Sequence, residues 1–401
     1  MSKKEPTKLV YVGKSNFKKS FIVKVTLGMN IAESSFNENV LVVTKKNIQE
    51  LNSSNRKNYK AIILSGDITN DQEAIIKNSK NENLVWLRDD ISFLNEGDIV
   101  EIECKNKISK LFIIYRINSD NNVLIPTNLC NSGCIMCPQP FMSQSEEIFN
   151  IKRIKKIISL MDKNTKFLGI SGGEPTLLKE KLVEVLVLCK DYLPNTNVYL
   201  LTNGRMFSYI SYVDAISAIG IKKLDFCIPI HSFEEKSHDK ITQVKGSFTQ
   251  TVNGTKNLLM ANQNIEIRIV IHKNNFRYLE KIADFIIDNL RGVFRVSFLG
   301  MEITGMAAKN LEKIWIPYKE IRLFMENAII KLLSQGINVS IFNIPRCKVS
   351  EPFRKLCTKS ISEHKVRYLD ECAKCKEKKI CGGIFSSSVG SLKEEGVEPI
   401  K

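Results

Sequence analysis

The chain has 401 residues, 43% of them hydrophobic and 25% charged, and 59 Lys and Arg against 43 Asp and Glu leave a formal charge of +16. These are globular proportions with length for two or three domains, and they exclude a disordered segment or a disulfide-stapled miniprotein. No apolar run approaches the ~20 residues of a membrane span, and the start, Met1 to Pro6, lacks the apolar core of a secretory signal. The expected location is therefore the cytoplasm, with no membrane partner. Thiols stay reduced there, so the eleven cysteines read as metal ligands or core residues. The positive charge is spread along the chain without an Arg-rich block or interleaved aromatics. That suits Lys as a default surface residue better than a nucleic-acid face.

Residues 1–119 read as a β-rich domain. Short apolar runs recur near 9–12, 21–23, 40–44, 61–65 and 84–87. From Asp98 to Lys105 the pattern alternates, with Val100, Ile102 and Cys104 on one face, and a turn at Asn106 and Lys107 leads to 111–115 as a hairpin. Short helices are expected at 45–51 and 70–79. No chemical constellation stands out here; an exposed edge strand could accept a peptide by strand addition. Asn118 to Asn122 reads as a polar linker.

From 120 to 302 an apolar strand pattern alternates with a helical one, the mark of repeating βα units. Strands are expected at 123–126, 167–171, 198–202, 224–230, 265–271 and 293–299, and helices at 151–161, 177–191, 208–219, 249–262 and 277–289. The fold class is α/β: a partial (β/α)6 TIM-like barrel core behind the N-terminal β-rich domain. Residues 303–401 form a C-terminal region with a helix at 317–334, a strand at 337–344 and a Cys-rich loop tail. Chemistry in such cores sits just beyond the C-terminal ends of the strands.

The cysteines cluster there. Cys130, Cys134 and Cys137 follow the first strand within eight residues. Thiolate-only ligation is typical of iron–sulfur clusters, and three ligands leave one position of a four-iron cluster open; the alternative is zinc completed by a distant residue. Gly172-Gly173-Glu174-Pro175 ends the second strand, offering close backbone approach and a carboxylate for an ammonium group. Cys104, Cys189 and Cys227 stand alone and read as core residues.

The Cys-x3-Cys-x2-Cys loop followed by Gly-Gly-Glu-Pro resembles the radical S-adenosylmethionine (SAM) superfamily over about residues 122–300. The resemblance implies that Cys130, Cys134 and Cys137 hold a [4Fe–4S] cluster whose free iron chelates S-adenosylmethionine. It implies that Gly172, Gly173, Glu174 and Pro175 line the methionine ammonium, and that reductive cleavage yields a 5′-deoxyadenosyl radical that abstracts hydrogen. Met136 stands where the family usually has an aromatic residue and would pack against adenine. By position, Thr202-Asn203-Gly204-Arg205 after the third strand, with Asn203 as its chief candidate, offers ribose contacts or is an ordinary Asn-Gly turn. His231 is a candidate catalytic residue facing the substrate pocket, or a surface or capping histidine; Ser297 and His272 are further candidates on their strands.

In the tail, Cys372, Cys375 and Cys381 with Cys347 upstream make four thiols, enough to close a second site; Cys357 could replace Cys347. The spacing resembles the auxiliary-cluster regions of radical enzymes that modify peptides, with Phe385 where a further cysteine would stand. It implies one auxiliary [4Fe–4S] cluster, the alternative being structural zinc. The layout, with Phe298 to Gly305 and the Cys-Gly-Gly-Ile-Phe ending, also resembles the radical maturase (C-type) of the His-Xaa-Ser peptide system. That implies a peptide or small protein substrate, a partner maturase and a low-potential electron donor such as flavodoxin or ferredoxin. The alternatives are a radical enzyme acting on RNA or a nucleotide-derived small molecule, and a non-catalytic iron–sulfur or zinc protein.

Overall fold

The computed structural model describes residues 10–15, 20–27, 39–43, 59–65, 84–87, 89–105, 108–139 and 150–401. Two compact units emerge: one built on the stretch up to Asn122 with Asn150–Lys166 and Asp191–Thr196, the other on Val123–Phe149, Phe167–Lys190 and Asn197–Lys401.

In the first unit seven strands form a closed barrel: β1 (Val10–Ser15), β2 (Phe21–Thr26), β3 (Asn39–Val43), β4 (Ala61–Ser65), β5 (Leu84–Leu87), β6 (Ile99–Lys105) and β7 (Ile108–Tyr115). Their order is β1-β5-β4-β3-β2-β6-β7, and β7 pairs back onto β1. β2 to β5 are mutually parallel, and the other pairs are antiparallel. The parallel strands need apolar residues on both faces, and every residue of Ala61–Ser65 is buried. β6 keeps the expected alternation, with Val100, Ile102 and Cys104 in the barrel core. The expectation of strand addition is corrected here. Closure gives each described strand of this barrel a neighbour on both sides, so none of these seven offers an open edge. The expected helices at 45–51 and 70–79 and the turn at 106–107 lie outside the described residues.

The helix Ile151–Leu160 belongs to this unit, although the chain places it between the first two strands of the βα core. Asn150 caps it by accepting the Arg153 N–H. Ile154, Ile157 and Ile158 are buried, and Arg153 pairs with Glu101 of β6 at 2.6 Å.

The second unit is built on a parallel sheet of eight strands laid down in chain order. They are β8 (Val123–Thr127), β9 (Phe167–Gly172), β10 (Asn197–Leu201), β11 (Leu224–Pro229), β12 (Asn264–Val270), β13 (Arg295–Leu299), β14 (Asn338–Phe342) and β15 (Cys357–Thr358). Helices Glu180–Tyr192, Ile210–Ser217, Ser247–Met260 and Leu279–Asn289 connect the core strands. Two strands thus continue the sheet past the six expected units. β14 follows the helix Tyr318–Ser334 and pairs in parallel with β13, as one more βα unit. The tail adds a two-stranded ladder, β16 (Val366–Arg367) with β17 (Ile384–Phe385), and its strands flank the cysteines between. Among the described residues no helix is long and apolar enough to cross a membrane.

Candidate functional site

Three adjacent strands, β8, β9 and β10, end beside one another, and their following loops are stitched together. The chain leaving β8 and the glycine turn leaving β9 lie in backbone contact: Gly173 N–H donates to Thr127 O at 2.9 Å and Glu174 N–H to Leu129 O at 2.6 Å. A Cβ on Gly172 (φ +122°) would stand 2.1 Å from Thr127 O, and one on Gly173 2.0 Å from Leu129 O. Glycine is therefore required at both positions by the approach of the cysteine loop's own backbone. Pro175 opens a short 3-10 turn whose N-cap is Glu174.

Glu174 is buried, and its carboxylate gathers donors from two strand ends. Oε1 accepts from Thr176 N (3.0 Å), Thr176 Oγ1 (2.6 Å) and Thr202 Oγ1 (2.6 Å), and Oε2 accepts from Asn203 N (2.6 Å). Burial raises its pKa, and these hydrogen bonds pull the other way. Oε2 holds the single donor, so an acceptor position remains on that oxygen.

Asn203 extends the network, its Nδ2 donating to Asn131 Oδ1 at 2.7 Å. Arg205 clamps the same loop. Its Nη1 donates to Asn131 O (2.7 Å) and Ser132 Oγ (3.2 Å), while Gln250 Oε1 holds its Nε at 2.7 Å. The sequence pointed to Arg205 only as the last residue of the candidate ribose-contact turn, not as a clamp on the cysteine loop.

The far side of the loop rests on the helix Glu235–Thr242 and the segment after β13. Gly133 and Ile135 donate to the carbonyls of Thr242 and Ile241, both at 3.0 Å, and Ala307 donates to Cys137 O at 3.1 Å. Met136 is buried with Ile241, Met301, Ala307 and Ile314. Its side chain packs into this cluster and holds the loop down. Cys130 is exposed, and Cys134 and Cys137 are half-buried. Burial and the neighbouring Cys130 and Cys137 push the Cys134 thiol up to about 12, whereas Arg205 favours its ionised form. Metal binding removes that proton, and Arg205 is the cation placed to offset the thiolate charge.

His231 and His272 follow β11 and β12 and are buried, and His231 lies near both His272 and His238 of the helix Glu235–Thr242. The His231 and His238 rings are 5.3 Å apart. Burial holds all of them neutral, with His238 and His272 lowered to about 4. His231 Nδ1 and His272 Nε2 lack a hydrogen-bond partner among the described residues. Ser297 is fully buried in mid-strand. Near it Glu266 takes Arg268 Nε at 2.9 Å and Arg295 Nη2 at 2.6 Å, and these cations keep its carboxyl below the ordinary value although burial opposes it.

In the tail, Cys347, Cys372, Cys375 and Cys381 line a single cavity. Cys357 is not among its lining residues; it pairs with Ile341 in the sheet. Among the described residues no three Cys, His, Asp or Glu side chains converge tightly enough to share one metal ion. Thiolate-only donors in sets of three and four fit iron–sulfur clusters, which take each thiolate on a different iron.

Residues 124–286 match the family model of the radical SAM superfamily. Among solved structures, Streptococcus suis SuiB bound to precursor peptide SuiA is 17% identical, covering 55% of this chain and 48% of that one, with a TM-score of 0.44. The enzyme anSMEcpe with bound AdoMet is 15% identical over 69% of this chain and 88% of its own, with a TM-score of 0.48. Coproporphyrinogen III oxidase (HemN) from Escherichia coli, a radical SAM enzyme, is 13% identical over 53% and 52%, with a TM-score of 0.41. The chain spans about half the length of the SuiB chains it matches. No curated protein matches it.

Proposed function

We propose that the chain reductively cleaves S-adenosylmethionine at the 130–137 loop and abstracts hydrogen from a peptide or small protein, as a maturase of the His-Xaa-Ser type. One observation carries the reading: the three-cysteine loop, the Gly172-Gly173-Glu174 turn and the Asn203-Arg205 turn, from three neighbouring strand ends, are hydrogen-bonded into one assembly. In it Cys130, Cys134 and Cys137 would hold a [4Fe–4S] cluster with one iron open. When bound, the cluster and S-adenosylmethionine supply one-electron cleavage of the sulfonium. The chain's own residues orient and shield. Glu174 fixes the turn through Thr176, Thr202 and Asn203 and keeps Oε2 for the methionine ammonium. Arg205 compensates thiolate charge, and Met136 anchors the loop.

The peptide half of the reading rests on the tail. Its four-thiol cavity resembles the auxiliary-cluster region of peptide-modifying radical enzymes, and Cys347, Cys372, Cys375 and Cys381 would hold a second [4Fe–4S] cluster there with every iron ligated. Reduced flavodoxin or ferredoxin is the proposed electron donor. The test is anaerobic reconstitution, then dithionite with S-adenosylmethionine. Formation of 5′-deoxyadenosine is expected, and a mass change in a co-supplied His-Xaa-Ser peptide identifies the substrate class. Reconstituted protein that yields no 5′-deoxyadenosine sinks the catalytic reading in favour of a non-catalytic metal protein. The +16 charge favours RNA as the second substrate class; submicromolar RNA binding that falls steeply with salt would select it.

A further inference from the structure

Beyond its cysteines, the tail cavity has a wall that neither thiol-bearing loop supplies. Val397, Glu398, Pro399 and Ile400 line it. The Glu398 side chain is exposed while Val397, Pro399 and Ile400 are half-buried, so the segment turns apolar atoms toward the cavity and its charge toward water.

The segment is fastened to both of the loops that bear the thiols. At one end the backbone of Glu398 lies by the Cys347 thiol and favours its ionised form, and Glu395 just before the segment pairs with buried Lys348, the neighbour of Cys347, at 2.9 Å. At the other, Ile400 O accepts from the N–H of Lys376, the residue after Cys375, at 2.9 Å. The Glu395 carboxylate also accepts from the N–H groups of Tyr318 (2.8 Å) and Lys319 (3.0 Å). The anchor, the bridge and the cover are therefore built from consecutive residues of one stretch.

We propose that Val397–Ile400 is a strap that excludes water and chelators from the four-thiol site and donates the Glu398 N–H to the Cys347 sulfur. The inference rests on the four-thiol reading. Its chemistry follows from two general properties of such sites. Backbone N–H groups aimed at a ligating sulfur stabilise its negative charge, and solvent exposure sets both potential and lability. Gly383 N–H already stands 3.4 Å from the Cys381 sulfur, so the strap would bring a second sulfur of the site under the same control.

The test uses the full chain with Cys130, Cys134 and Cys137 replaced by Ala, so that iron reports on the tail alone. Iron release to bathophenanthroline disulfonate is followed anaerobically in this parent, in a chain ending at Gly396, and in a Val397→Ser, Ile400→Ser variant that keeps the backbone bonds. The shortened chain is expected to release iron at least about tenfold faster, with the double variant between it and the parent. Glu398→Pro is compared with Glu398→Ala, which loses the same carboxylate but keeps the N–H; the proline variant is expected to keep its iron and show a more negative midpoint potential than the alanine variant. Equal release rates in all the chains overturn the shield, and equal midpoints in Glu398→Pro and Glu398→Ala overturn the N–H donation. A parent that takes up no iron overturns the four-thiol reading and the strap with it.

Discussion

The loop at 130–137 and the tail cavity both gather thiols, but they are built differently. The loop carries its cysteines within eight residues and is held from outside, by backbone bonds to the β9 turn, the Arg205 clamp and the Met136 cluster. The tail draws Cys347 and Cys372–Cys381 from separate loops into one cavity and covers them with Val397–Ile400. On the proposed reading, one construction leaves a ligand position of its cluster open and the other supplies a full set beneath a strap. The difference teaches that donor count and access, more than thiol chemistry, separate a site that can take a substrate from one that can only store or relay charge.

The largest effect should come from replacing Cys130, Cys134 and Cys137 with Ala. Cleavage of S-adenosylmethionine should vanish while about four irons per chain remain in the tail, as measured by product chromatography and iron assay. Loss of all iron would break the comparison. Next, Glu174→Ala strands the Thr176, Thr202 and Asn203 donors in a buried place. It should cost about 3 kcal/mol in denaturant unfolding and weaken S-adenosylmethionine binding without loss of iron from either region.

Acid should act on the loop's side of the molecule. His238 and His272 have folded pKa values near 4, below the unfolded value of about 6.5. The unfolded chain therefore binds more protons between those limits. The stability these groups contribute is complete above about pH 6.5 and is lost as pH falls toward 4, at about 1.4 kcal/mol per pH unit for each. Replacing both with Gln should flatten that slope in the metal-free protein, whereas the lining of the tail cavity holds no histidine. The smallest effect is expected for Cys357→Ser, which should leave iron content unchanged because Cys357 does not line the cavity; loss of tail iron would move the fourth ligand from Cys347 to Cys357.

Much of this was legible in local pattern. Runs such as Ala61–Ser65 and the alternation of Ile99–Lys105 named the front strands. The three-cysteine spacing and the Gly-Gly-Glu-Pro turn named the first site. Barrel closure was not legible, because the pairing of β1 with both β5 and β7 joins segments far apart in sequence. β14 was seen as a strand but not as part of the sheet, since the short helices Gly305–Lys309 and Leu311–Ile314 interrupt the βα rhythm before it. Arg205 and Glu395 act through contacts many residues away, which no periodicity records.

The central claim is that the loop holds an open cluster and the tail a closed one. The most direct measurement is electron paramagnetic resonance of the reduced protein with and without S-adenosylmethionine, in two variants. One lacks Cys347, Cys372, Cys375 and Cys381; the other lacks Cys130, Cys134 and Cys137. The account predicts a spectrum that changes on adding S-adenosylmethionine in the first variant and stays fixed in the second. A shift in the tail-only protein, or none in the loop-only protein, would contradict it.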